Sequence, residues 1–183
     1  DHAVVTFDLQ NVIALPRANV KSFFYRRKLA VYNLTAHCSL DLDTGSSCAL
    51  WTESNGGRGG NDIASALIEI LNKITEKHPG MSKITLRSDA CVPQNKNCAM
   101  SLALMKFVDS HANLEFVKQN YGTPGHSSVQ EVDNIHSQIE KKLRRSEVYS
   151  PLSLIRVLKN VNTKKPLTII QMKSFYDYYG QAK

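Results

Sequence analysis

Cysteine is scarce in this 183-residue chain, and the four present, Cys38, Cys48, Cys91 and Cys98, form no C-x-x-C pair and have no histidines at matching spacing. That pattern argues against a zinc site and favours a reduced intracellular setting. Cys38 and Cys48 alone are placed to face one another across a hairpin, which leaves one disulfide open. Long apolar runs are missing too. None approaches the ~20 residues of a membrane helix, and the first residues do not form a signal peptide. Repeats and low-complexity tracts are absent, and the single tryptophan, Trp51, is read as core. Acids are outnumbered, 16 against 23 lysines and arginines, for a formal net charge of +7 and a pI near 9.3. Such a balance favours a polyanionic partner such as nucleic acid.

What is present suffices for one well-buried core, since 42% of the residues are hydrophobic. The chain opens at Asp1 almost directly on a strand and without an initiator Met, so an upstream DNA-binding region is expected outside this sequence. Ala3 to Leu9 is β-rich and apolar on both faces, as a central strand should be, and it carries an acid, Asp8, at its end. Pro16 to Arg27 reads as a long connection with a basic knot at Arg26-Arg27-Lys28. Strands follow at Leu29–His37 and Cys48–Thr52, joined by the polar turn from Asp41 to Ser46.

Glycines 56, 57, 59 and 60 then release a helix at Asn61-Asp62, whose Ile63, Ala66, Leu67, Ile70, Leu71 and Ile74 draw a 3.6-residue stripe up to Pro79-Gly80. Ser82 to Ser88 alternates as a strand and ends at Asp89. Ala99 to Val108 is apolar nearly all round and is expected to be a buried helix. Leu114 to Lys118 makes a fifth strand. Beyond Gly125, a permissive hinge, Ser127 or Ser128 can cap a helix beginning near Gln130, with Val132, Ile135, Ile139 and Leu143 as its apolar stripe and Asp133 in its first turn. A helix at 151–159, a strand-like 167–171 and an aromatic end complete the chain.

Three strands followed by helix–strand alternation imply an α/β fold with a mixed five-stranded sheet and helices on both faces. Residues 1–146 are expected to form the catalytic domain, with 147–183 a C-terminal extension packed on it. Asp8 and Asp89 at strand ends and Asp133 at a helix start can meet around divalent metal.

The element order, with acids at the end of strand one, the start of the first helix, the end of strand four and the start of the third helix, resembles the ribonuclease H-like superfamily. Closer still is a similarity to transposase-derived domains of animal mobile elements. It is carried by Phe7-Asp8-Leu9-Gln10, Leu50-Trp51-Thr52-Glu53, Arg58-Gly59-Gly60-Asn61-Asp62-Ile63-Ala64-Ser65, Ser88 to Asn97 and Gly125 to Glu140. The resemblance implies a five-stranded ribonuclease H-like fold and a two-metal site for Mg²⁺ or Mn²⁺. Asp8 would bridge the ions, with Asp62 and Asp89 on one side and Asp133 on the other. Asp62 stands where the ribonuclease H pattern has a glutamate.

Hard divalent cations need carboxylate oxygens, and two of them can stabilise both the attacking and the leaving oxygen of a phosphodiester. Gln10, Asn95, Glu131, His126 and His136 are supporting or catalytic candidates. Arg58, Lys96, Asn97, Lys141, Lys142, Arg144 and Arg145 are candidate phosphate or sugar contacts. The expected function is DNA cleavage or strand transfer in the nucleus, with no membrane partner, and a homo-oligomer is compatible with it. Cleavage of RNA–DNA hybrids and a non-cutting binding module are the alternatives. A proofreading-type exonuclease is disfavoured, because Asp8-Leu9-Gln10 lacks its D-x-E word.

Overall fold

The computed structural model describes residues 1–18, 27–41, 45–122 and 131–181. Its first strand, β1 (His2–Leu9), alternates two chemistries. Ala3, Val5 and Phe7 are fully buried on one face, while Asp8 is only half-buried. A strand with a partner on each side and cover on both faces keeps little of its surface wet. β1 lies antiparallel to β3 (Leu29–Cys38) and parallel to β5 (Lys83–Ser88). A short β2 (Ile13–Leu15) also pairs with β3. β4 (Ser47–Thr52) extends β3 on one side, and β6 (Phe116–Tyr121) extends β5 on the other. Finally β7 (Thr168–Gln171) adds in parallel to β4. The sheet has seven strands in the order β6-β5-β1-β3-β4-β7, with β2 beside β3.

The helices segregate by face, and β4 displays the rule most plainly. Ala49 and Trp51 join the core under α1 (Gly60–Lys77) and α2 (Cys98–Asp109). Cys48 and Leu50 join a second core under α3 (Glu131–Arg144) and α4 (Pro151–Lys159). Side chains of a strand alternate between faces, so one six-residue segment serves both layers. A one-turn α5 (Tyr178–Gln181) returns against α2, with Tyr178 buried in the first core. The Trp51 indole is buried in that core and donates to the Gly57 carbonyl at 2.8 Å. Ile63, Leu67, Ile70 and Leu71 of α1 are fully buried, and each such side chain stabilises by about 1.5–3 kcal/mol.

Several expectations are corrected. The sheet has seven strands rather than five, because β2, only three residues long, is too short to leave a periodic signal, and because 168–171 is a member of the sheet. The strand expected at 114–118 runs from Phe116 to Tyr121. α2 is not buried all round: Met105 is 62% exposed and Ser101 and Lys106 lie on the same open side. Cys38 and Cys48 do not face one another; Cys48 is level with Thr35 and Cys38 with Val5, and both thiols are free. The hinge at Gly125, the caps at Ser127 or Ser128, the start near Gln130, His126 and Arg26 lie outside the described residues.

Candidate metal centre

The parallel register of β1 and β5 sets Thr6 level with Arg87. Two residues further on come Asp8, the penultimate residue of β1, and Asp89, one residue past the end of β5, so the two acids come side by side at the ends of neighbouring strands. On the other side of β1, Asp8 is level with Thr35 of β3. Gln10 and Asn33 continue this polar patch: both are buried, and Asn33 Nδ2 donates to Gln10 Oε1 at 2.8 Å and to Thr35 Oγ1 at 3.1 Å. Helix α3 crosses over the patch and presents Asp133, His136 and Glu140 to it, and the three share a cleft of about 740 Å³ with Asp8 and Gln10. The spacing of 3 and then 4 residues puts these three side chains on one helical face.

The electrostatics follow from that convergence. The Asp8 carboxyl is raised to about 6, chiefly by burial and then by the neighbouring charges of Asp89 and Asp133, and only a hydrogen bond from the Leu9 backbone opposes them. His136 moves the other way, down to about 4, because burial disfavours the imidazolium more than Asp133 and Glu140 favour it. Its Nε2 is buried without a hydrogen-bond partner. One ligand atom from each of Asp8, Asp133 and His136 lies within 4.8 Å of the other two. Repelling carboxylates beside an orphaned nitrogen are the donor set a divalent cation satisfies, so these residues fit the metal that the sequence implies.

Asp89 is exposed, one residue past β5, and held from behind. Asn95 Nδ2 and the Cys91 amide, the latter at 3.3 Å, both donate to its Oδ1. Asn95 is itself buried, and its carbonyl accepts from Gln119 Nε2 and the Tyr121 hydroxyl, each at 3.3 Å. This fixes the loop after β5 to β6.

The other expected residues are distributed as follows. Asp62 sits in the first turn of α1, where its Oδ2 accepts the Gly59 amide at 3.0 Å and closes the glycine-rich loop; the carboxylates acting on Asp8 are Asp89 and Asp133. Glu131 faces away from the cleft and lines a separate hollow of about 290 Å³ with His37 and Asp41. Asn97 caps α2, accepting the Met100 amide at 3.0 Å. Lys96 lies over the Tyr121 ring at 5.5 Å, and Arg58 over Tyr32 at 6.0 Å.

Lys141 and Arg144 line the acidic cleft, and Arg144 and Arg145 line a neighbouring recess of about 520 Å³ with Arg17 and Lys28. Lys142 is half-buried on α3, outside both hollows.

Two participants escaped the sequence reading. Arg17 donates to Glu140 Oε2 at 3.1 Å, and Gln10 Nε2 lies 3.5 Å from Glu140 Oε1. The Asp133-His136-Glu140 spacing was the available signal for Glu140, whereas nothing local marks Arg17. A second group, Cys38, Asp41 and His78, also brings ligand atoms within 4.8 Å, but there the Lys77 ammonium already pairs with Asp41.

Fold and site together define a mixed α/β domain with an anionic cleft at the carboxyl end of its central strand and cations along the rim. The chain belongs to the family described as domain of unknown function (DUF7869), whose model matches residues 45–182. No curated protein matches it. Among solved structures it is similar to a chain of the simian T-cell lymphotropic virus intasome, seen by cryo-EM in complex with the PP2A regulatory subunit B56 gamma. That likeness has a TM-score of 0.40 at 11% identity, and covers 89% of this chain and 51% of the other, so the chain spans about half the length of its structural relative.

Proposed function

We propose that this chain is a metal-dependent nuclease or transposase-type domain of ribonuclease H-like character, which cleaves or transfers phosphodiester bonds in DNA. The observation that carries the reading is that Asp8 and Asp133, remote in sequence, line one cleft with Arg17, Lys141 and Arg144 on its rim, while Asp89 is near enough for its charge to act on Asp8. The motif likeness to transposase-derived domains supports the same reading. Asp8 and Asp133, with Asp89 at the adjoining strand end, would hold Mg²⁺ or Mn²⁺. Bound there, divalent ions supply Lewis-acid activation of a water or hydroxyl and stabilise the leaving oxygen.

The remaining work falls to the protein. Asn95 and the Cys91 amide fix the Asp89 carboxylate through its Oδ1. Gln10, clamped between Asn33 and Glu140, sets the cleft floor and offers amide contacts to a sugar or base. Lys141, Arg144, Arg145 and Lys28 line a path for the phosphodiester backbone, and Arg17 both joins that path and holds Glu140.

The test is cleavage of labelled duplex DNA, single-stranded DNA and RNA–DNA hybrid in Mn²⁺ by the wild type and by Asp89→Asn. DNA cleavage that the substitution abolishes supports the reading. Cleavage unchanged in Asp89→Asn overturns the site, and cutting confined to the hybrid overturns the substrate.

A further inference from the structure

We propose that His136 is a metal ligand beside Asp8 and Asp133, so that this side of the site takes a first-row transition cation, with Mn²⁺ as the probe, in preference to Mg²⁺. The inference rests on the reading above that Asp8 and Asp133 hold a divalent ion, and adds which ion and through which donor.

Helix α3 offers the cleft three side chains with ligand chemistry, Asp133, His136 and Glu140. Glu140 is engaged at both oxygens, Oε2 by Arg17 at 3.1 Å and Oε1 by Gln10 at 3.5 Å, so it is anchored away from a metal role. His136 is in the opposite condition. Its Nε2 is buried and has no hydrogen-bond partner, although buried polar atoms are nearly always paired. One of its ring nitrogens stands within 4.8 Å of carboxylate oxygens of both Asp8 and Asp133. A ring in that position, whose buried Nε2 has no hydrogen-bond partner, is satisfied by a cation that the two carboxylates also attract.

The donor set then selects the ion. Two carboxylates alone suit Mg²⁺, which takes oxygen ligands and keeps much of its water. Replacing one oxygen by an imidazole nitrogen shifts preference to first-row transition ions, which accept mixed nitrogen and oxygen donors. Substrate positioning and cleavage are not needed to see this. The preference belongs to the protein and its ion alone.

The experiment uses the whole chain with one equivalent of Mn²⁺ and reads pulsed EPR for ¹⁴N coupling, with Mn²⁺ and Mg²⁺ affinities measured by calorimetry on the wild type, His136→Gln and Asp8→Asn. Circular dichroism checks that each variant folds. The proposal expects ¹⁴N coupling in the wild type, lost in His136→Gln. It also expects Mn²⁺ affinity to fall at least about tenfold in that variant while Mg²⁺ affinity changes less than about twofold.

Mn²⁺ bound in an Asp8-dependent way but without ¹⁴N coupling, or equal losses for both ions, overturns the role of His136 and leaves the carboxylate site standing. Mn²⁺ binding that Asp8→Asn leaves unchanged, or no binding at all, overturns the metal centre and this inference with it.

Discussion

Asp8, next to last in β1, and Asp89, one residue past β5, lie side by side at the ends of two adjacent parallel strands, two residues past the Thr6–Arg87 pair. Burial and then the neighbouring Asp89 charge raise the cost of ionising Asp8. The consequence is a stability that depends on pH. The Asp8 carboxyl is raised from 3.8 to about 6 in the folded chain, so between those values the native state binds a proton that the unfolded state has lost. Stability without metal therefore falls as pH rises from about 4 to 6, by roughly 2 kcal/mol once partial exposure is allowed for. Urea denaturation across pH 4–7 in EDTA should follow this slope in the wild type and flatten in Asp8→Asn.

Metal should reverse the penalty. Saturating Mn²⁺, at about 100 times its Kd, adds roughly 2.7 kcal/mol, which for a chain of this size is a rise in Tm of about 5–10 °C. Thermal unfolding should register that rise in the wild type and lose it in Asp8→Asn and Asp133→Asn.

Asp62 answers a different question. Its carboxylate closes the loop before α1 through the Gly59 amide, so Asp62→Ala should lower stability by about 1 kcal/mol, as loss of a helix-start hydrogen bond does. Chemical denaturation gives that number. The Mn²⁺-dependent increment in Tm should survive the substitution, and its disappearance would return Asp62 to the ion.

Asn95→Ala removes the buried amide behind Asp89 and leaves the contacts of Gln119 and Tyr121 in place, since those two bind its backbone carbonyl. A destabilisation of about 1–3 kcal/mol is expected, together with a drop in DNA cleavage. Full cleavage by a folded Asn95→Ala protein would contradict the orienting role.

Arg144→Ala and Arg145→Ala should each weaken DNA binding without changing the fold, and each should reduce the salt slope of log K by about 1. Fluorescence anisotropy between 50 and 200 mM salt, conditions chosen to span the steep range, measures both.

Strong periodicity and punctuation made most of the architecture legible. The stripe of α1, the alternation of Ile84 and Leu86 in β5 and the glycines before α1 speak locally, so the sequence carries them. The three aspartates were readable because each ends or begins a regular element. What stayed hidden is what tertiary contact alone decides. β2 is too short for a pattern, the open side of α2 depends on what fails to cover Met105, and Arg17 gains its partner Glu140 from more than a hundred residues away. Glu131 illustrates a finer limit: two residues from Asp133 on a helix is about 200° of turn, so neighbours in sequence open onto different hollows.

The last strand, β7, shields one flank of β4 through the pairs Ser47–Thr168 to Leu50–Gln171. A fragment stopping at residue 146 would bare that flank as a row of unsatisfied amides and carbonyls beside Cys48 and Leu50, an invitation to edge-to-edge aggregation. Insolubility of such a truncation would thus report a missing strand, and say nothing about the chemistry upstream.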